Sequence, residues 1–185
     1  MPSKYIREYI EKFTAVLQLI KEREFEQFIH ALEGAYERNA TIFVFGNGGS
    51  GVNASHFVAD FNKGVRYKKD KRFKVICLND NMPIISAYAN DLSYNDIFIE
   101  QLKNLMTKDD MVIGISGSGN SENVLKAIRY ANTKGATTFG LCGYGGGALK
   151  DTVQKSLVVN SDDMQKVEDA HAVVLHCAMQ WFMNK

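Results

Sequence analysis

Apolar positions recur at helical spacing through the first forty residues of this chain. Tyr5, Ile6, Ile10, Phe13, Val16, Leu17 and Ile20 mark one stripe, and Phe25, Phe28, Ile29, Leu32 and Tyr36 mark a second. The pattern predicts two amphipathic helices. The period then changes. Thr41–Phe45, Phe73–Leu78, Met111–Ile115, Thr137–Leu141 and Ser156–Val159 are five short, mostly apolar runs suited to strands, with helical patterns between most of them. Such alternation predicts a doubly wound α/β domain: a five-stranded parallel sheet flanked by helices on both faces. Ligands of these sheets bind at the carboxyl ends of strands. The two leading helices are surplus to that arrangement, so their apolar faces pack either on their own sheet or in a subunit interface.

The chain has 185 residues, which fits one domain over 1–185, with helices in 1–40 and the α/β core in 41–185. Its composition, 45% hydrophobic and 23% charged with a net charge of +1, is that of a soluble globular protein and favours neither nucleic acid nor an anionic membrane as partner. The cluster Arg66-Tyr67-Lys68-Lys69-Asp70-Lys71-Arg72 reads as a solvated loop rather than an anion patch. A charged N-terminus without an apolar core, and no apolar run near the ~20 residues of a membrane span, imply a cytoplasmic location. Cys77, Cys142 and Cys177 lie in apolar stretches without metal-type spacing, and read as reduced core residues.

Two junctions between strand and helix carry the candidate chemistry. Gly114-Ile115-Ser116-Gly117-Ser118-Gly119-Asn120-Ser121 joins the third strand to an apolar-periodic helix. Free backbone N–H groups, the helix dipole and three hydroxyls in one turn suit a phosphate monoester. Gly46-Asn47-Gly48-Gly49-Ser50 follows the first strand in the same way. Neither loop has the Gly-Lys-Ser/Thr ending of a nucleotide phosphate loop or a dinucleotide fingerprint, so a nucleotide is not expected. A third run, Gly143-Tyr144-Gly145-Gly146-Gly147, reads as a flexible connection.

Three of the chain's four histidines fall on two helices. His56 and Asp60 stand four residues apart and share a face; the C-terminal helix carries Glu168, Asp169, His171 and His176. His171 reads as a satisfied polar residue at a helix surface. His56, Asp60, Glu168 and His176 would supply either acid/base groups near neutral pH or two imidazoles and two carboxylates for a divalent metal, provided the helices meet.

The runs Phe45–Ser50, Ala54–Phe57, Asn90–Asp96 and Ile115–Ser121, with Val167-Glu168-Asp169-Ala170-His171 and His176, resemble the sugar isomerase (SIS) domain and, within it, the phosphoheptose isomerase branch. The resemblance implies aldose–ketose isomerisation of sedoheptulose 7-phosphate to a heptose 7-phosphate in a bacterial cytoplasm, feeding lipopolysaccharide, capsule or other surface glycans. It also implies a homotetramer with active sites between subunits and one zinc per subunit. By position, Ser116, Ser118 and Ser121 match phosphate-holding hydroxyls, with Gly117 and Asn120 in the same loop. Asn47 and Ser50 match sugar-holding residues beside Gly48 and Gly49, and Asp91 matches an aspartate near the sugar hydroxyls. His176 matches the catalytic histidine and His56 a zinc ligand. Three positions depart from the pattern: Asp60 replaces a Glu, Glu168 a Gln and Gly117 a Thr. The two carboxylates are therefore both candidates for the second proton carrier, with Asp60, Glu168, His56 and His176 as the candidate metal set. A non-catalytic SIS phosphosugar-binding regulator or assembly factor of the replication-initiator-associated type, or an isomerase of another phosphosugar, is the alternative, because fold alone does not fix function.

Overall fold

The computed structural model describes residues 2–65 and 70–185. Arg66, Tyr67, Lys68 and Lys69 of the basic cluster lie outside the described residues. Lys71, at its far end, is tied down: its ammonium donates to the Glu37 carbonyl at 3.1 Å and lies 4.7 Å from the Tyr36 ring centroid.

Five parallel strands, β1 (Thr41–Gly46), β2 (Lys74–Cys77), β3 (Met111–Ser116), β4 (Thr137–Cys142) and β5 (Lys155–Val158), lie in the order β2-β1-β3-β4-β5. The expected doubly wound sheet is present, with each boundary within two residues of that read from the pattern. Eight α-helices accompany it among the described residues: α1 (Pro2–Gln18), α2 (Glu22–Glu37), α3 (Gly48–Ala59), α4 (Met82–Asp91), α5 (Ile99–Leu105), α6 (Glu122–Thr133), α7 (Gly147–Thr152) and α8 (Met164–Asn184). None is long and apolar enough to cross a membrane.

The strands' period of two sorts their side chains into two layers. Ile42, Val44, Met111, Ile113, Phe139 and Leu141 join Phe28, Leu32, Phe57, Phe61, Val167 and Val174 on one face. Phe43, Phe45 and Val112 join Phe98, Leu102, Val124, Leu125 and Ile128 on the other. Gly114 in β3 lets α6 lie close, since a Cβ there would meet Val124 at 2.9 Å.

The chain leaves β1 to form β2 on one side and returns to form β3 on the other, so β1 and β3 are adjacent, paired from Ile42↔Met111 to Gly46↔Ile115. In open α/β sheets such a reversal is where ligands bind, at the carboxyl ends of the strands. Both glycine-rich loops leave from those ends. Helix α1 packs on α8 but buries none of its own residues: Tyr5, Ile6 and Ile10 are exposed. Its tie to α8 is a hydrogen bond from the Tyr9 hydroxyl to Asp169 at 2.6 Å, which pushes the phenol up to about 12.

Two expectations change here. Cys77 and Cys142 are buried, their thiols pushed up to about 12 by desolvation, but Cys177 is exposed because it faces away from the sheet on α8. His171 is not at a helix surface: it is fully buried beneath β4.

Candidate active site

The loop after β3 folds back on itself. The Ser116 and Ser121 hydroxyls lie 3.1 Å apart, and the Gly119 amide donates to the Ser116 hydroxyl at 3.1 Å. The Asn120 amide donates to the Ser118 hydroxyl at 3.2 Å. Ser121 precedes α6 in extended backbone, and its side chain accepts no bond from the helix. Asn123 caps the Val124 amide at 2.9 Å and the Ser121 carbonyl takes the Leu125 amide at 3.0 Å. The Glu122 and Asn123 amides, at the positive end of the helix, have no acceptor among the described residues, the arrangement that receives an anion.

The loop after β1 meets this one through a pair of amides. Asn47 Nδ2 donates to Asn123 Oδ1 at 2.9 Å, and Asn123 Nδ2 donates back to Asn47 Oδ1 at 2.8 Å. The Tyr94 hydroxyl, in the short 3₁₀ turn after α4, donates to the same Asn47 oxygen at 2.9 Å. Asn79, just past β2, clasps Gly46 through both backbone atoms, at 3.2 and 2.8 Å. Gly48 has φ +51°, and Ser50 is buried in the first turn of α3. Asp91, the last residue of α4, is exposed and takes the neighbouring Asn90 amide at 2.8 Å; no hydrogen bond joins it to either loop among the described residues.

Helices α3 and α8 do meet. The His56 and His176 Nε2 atoms lie 3.2 Å apart, and each is 3.5 Å from Asp60 Oδ2. Asp60 stands where α3 gives way to a π-helical turn over Asp60–Gly64. Its Oδ2 is buried with no hydrogen-bond partner, while the two imidazoles are about half exposed. An orphaned carboxylate oxygen facing two imidazole nitrogens is a donor set that fits a divalent cation.

Glu168 does not join that cluster. The two helices run side by side, so Glu168 meets the start of α3 while His176 meets its end, eight residues and about 12 Å of rise further on. A Cβ at Gly49 would fall 2.2 Å from Glu168 Oε2, so the carboxylate lies directly over the β1 loop at the amino end of α3. The neighbouring Asn53 side chain holds the Glu168 carbonyl at 2.9 Å. Of the four candidate metal ligands, three converge within the chain and the fourth stands over the β1 loop.

Residues 8–143 match the SIS domain family. A phosphoheptose isomerase from Helicobacter pylori (strain P12) is 36% identical over 165 residues, 86% of this chain and 85% of that protein. The chain belongs to the SIS domain family. A probable phosphoheptose isomerase from Thermoplasma acidophilum is 39% identical over 150 residues, 80% of this chain and 82% of that one. Among solved structures, a phosphoheptose isomerase from Francisella tularensis superposes with a TM-score of 0.92 at 26% identity, covering 100% of both chains.

The structure gives a physical account of two departures from the family pattern. At Gly117 a Cβ would stand 2.4 Å from Met164 Sδ and 3.6 Å from Val167 Cγ1, so the first residue of α8 fills the space a threonine side chain needs. Glu168 places a carboxylate over the β1 loop, at the positive amino end of α3.

The third glycine run is not a loose connection. Gly143 donates to the Gly117 carbonyl at 2.9 Å, Leu149 to the Gly119 carbonyl at 2.8 Å, and Ala148 to the Asn120 side chain at 3.0 Å. It forms the wall behind the serine loop: a Cβ at Gly143 or Gly147 would meet the Gly117 or Ser118 carbonyl oxygen, Gly146 sits at φ +101°, and Gly145 faces open space. Asn123 and Asn79 are the residues the sequence reading missed. Asn123, the polar residue directly before Val124 and Leu125 of α6, carried a faint signal; Asn79 carried none.

Proposed function

We propose that this chain is a phosphosugar isomerase that converts sedoheptulose 7-phosphate to heptose 7-phosphate through a cis-enediol. The observation that carries the reading is the convergence of His56, Asp60 and His176 at 3.2–3.5 Å in a chain that also carries a phosphate-type loop. The phosphoheptose isomerases at 36–39% identity over most of the chain support the substrate. A regulator that only senses the sugar has no use for this titratable cluster.

The serine loop and the amino end of α6 anchor the phosphate, and Asn47, Ser50 and Asp91 hold the sugar hydroxyls. Anchoring the far end of the substrate orients its reacting carbons against the proton carriers. His176 carries one proton, taking it from the carbon beside the carbonyl or returning it to the neighbouring carbon. Asp60 or Glu168 serves as the other carrier. His56, Asp60 and His176 are the residues that would hold zinc, and a bound zinc polarises the substrate's carbonyl and hydroxyl oxygens.

The reading extends to a cytoplasmic homotetramer that supplies heptose for surface glycans. Two features support an assembly. The apolar stripe of α1 is unburied in the single chain, and Glu168 with the two loops stands about 12 Å along α8 from the histidine cluster. Subunits packed through α1 and α2 bring the loops of one copy to the cluster of another.

The test is incubation of the wild type and His176→Asn with sedoheptulose 7-phosphate, with and without zinc, followed by separation of the sugar phosphates. The variant is expected to lose at least about 10²-fold in turnover with an unchanged circular dichroism spectrum. Near-normal turnover in the variant refutes the assignment of His176. A wild type that binds a sugar phosphate tightly but converts none refutes the enzyme.

A further inference from the structure

The serine loop joins the end of β3 to α6, and its Gly117 and Gly119 carbonyls are held by amides of the segment behind it. Behind it lies the third glycine run, which begins directly after Cys142, the last residue of β4. The Cys142 carbonyl receives two donors: the Val159 amide at 2.8 Å and the buried ring of His171 in α8, whose Nε2 lies 3.0 Å away. A carbonyl only accepts, so Nε2 carries the proton and the neutral ring presents Nδ1 as an acceptor, which is buried without a partner. A ring with one nitrogen unsatisfied in the core is a costly choice for mere filling, where leucine would serve.

The very next residue makes the connection. Gly143 donates to the Gly117 carbonyl at 2.9 Å, and its backbone is pressed between that carbonyl and Val167: a Cβ would meet Val167 Cγ1 at 2.4 Å and Gly117 O at 2.7 Å. Two residues on, Gly119 packs so tightly on Gly146 that its Cβ position is 2.0 Å from the Gly146 carbonyl oxygen. The contacts run unbroken from α8 through the end of β4 to Gly117, Ser118 and Gly119.

We infer that His171 is a positioning residue for phosphate recognition: by holding the Cys142 carbonyl it fixes Gly143 and, through it, the backbone of the serine loop. This rests on the reading that the serine loop anchors the substrate's phosphate. It also gives α8 a second task. The helix that carries His176 at the chemical end and Glu168 beside the sugar-side loop sets the geometry of the phosphate end as well.

Kinetics with sedoheptulose 7-phosphate, and inhibition by inorganic phosphate, test it on the wild type, His171→Leu and His171→Gln. The leucine variant loses the donor at similar volume. Its KM for the sugar phosphate and its inhibition constant for inorganic phosphate are expected to rise together by about tenfold, with kcat changed less than about threefold, since one buried hydrogen bond is at stake. Glutamine, whose amide extends a donor toward the carbonyl, is expected to recover most of both. Zinc binding measured by calorimetry is expected to match the wild type in all three. An inhibition constant in His171→Leu equal to the wild type's overturns the inference, as does a fall in kcat with KM unchanged, or glutamine no better than leucine. If the leucine variant does not fold, Gly143→Ala displaces the same contact from the other side; an unaltered KM there overturns the inference equally. Failure of inorganic phosphate to inhibit the wild type instead removes the reading of the serine loop, and the inference with it.

Discussion

Gly119→Ala places a methyl group where the serine loop touches its supporting wall. Gly119 has φ +68°, a conformation that costs a residue with a Cβ roughly 1 kcal/mol. Its Cβ would also stand 2.0 Å from the Gly146 carbonyl oxygen, 2.6 Å from that carbonyl carbon and 3.0 Å from Gly147 Cα. All three atoms are backbone, so one loop must shift by about 1 Å, with an overpacking cost of about 1–3 kcal/mol. The shift also loosens the Leu149 amide on the Gly119 carbonyl, now 2.8 Å. The total comes to about 2–4 kcal/mol, a fall in Tm of roughly 5–15 °C for a chain of this length. Gly135 provides the internal control. It has φ +81° but nothing within 4 Å of its Cβ position, so Gly135→Ala bears only the backbone cost, about 1 kcal/mol. Thermal unfolding followed by circular dichroism compares the two variants directly. Equal losses in both would refute the contact argument, and a Gly119→Ala variant with wild-type Tm and KM would remove the wall from the account of the site altogether.

Burial holds the His171 ring down to about 4 from its ordinary 6.5. The unfolded chain therefore binds more protons than the folded one between those values. The stability linked to this ring is complete above about pH 6.5 and is lost as pH falls toward 4, on the order of 3 kcal/mol. Urea unfolding at pH 7 and pH 4.5 is expected to show a smaller acid loss in His171→Gln than in the wild type; equal losses would contradict the assignment. Asn123→Leu strands the Asn47 amide and removes the cap on Val124, with an expected loss of about 1–3 kcal/mol and a raised KM, both checked by urea unfolding and steady-state kinetics.

The resemblance and the chain's periodicity together carried much of this protein. The five strand runs and the two leading helices were legible because a buried parallel strand is apolar throughout and an amphipathic helix repeats every three to four residues. The serine and glycine loops were legible because turns at strand ends draw on few residue types. The glycine run at 143–147 was misread for the same reason, since a glycine needed for close packing looks identical in sequence to one needed for flexibility. The wall became visible only once Gly119 and Gly146 stood in contact. His171 was misplaced because spacing on α8 gives its angle but not what lies above it, and β4 supplies the carbonyl that accounts for it.

By itself the sequence determined the α/β alternation, the two loops and the residues able to carry protons or a metal. These depend on local patterns, which a chain expresses before it folds. The tertiary structure alone decided that α3 and α8 lie side by side in the same direction. That choice brings His56, Asp60 and His176 within 3.5 Å and sends Glu168 to the start of α3 instead. The physical reason is that spacing along a helix fixes angle and rise, while the partner each residue meets depends on the register between two helices, set by packing far along the chain.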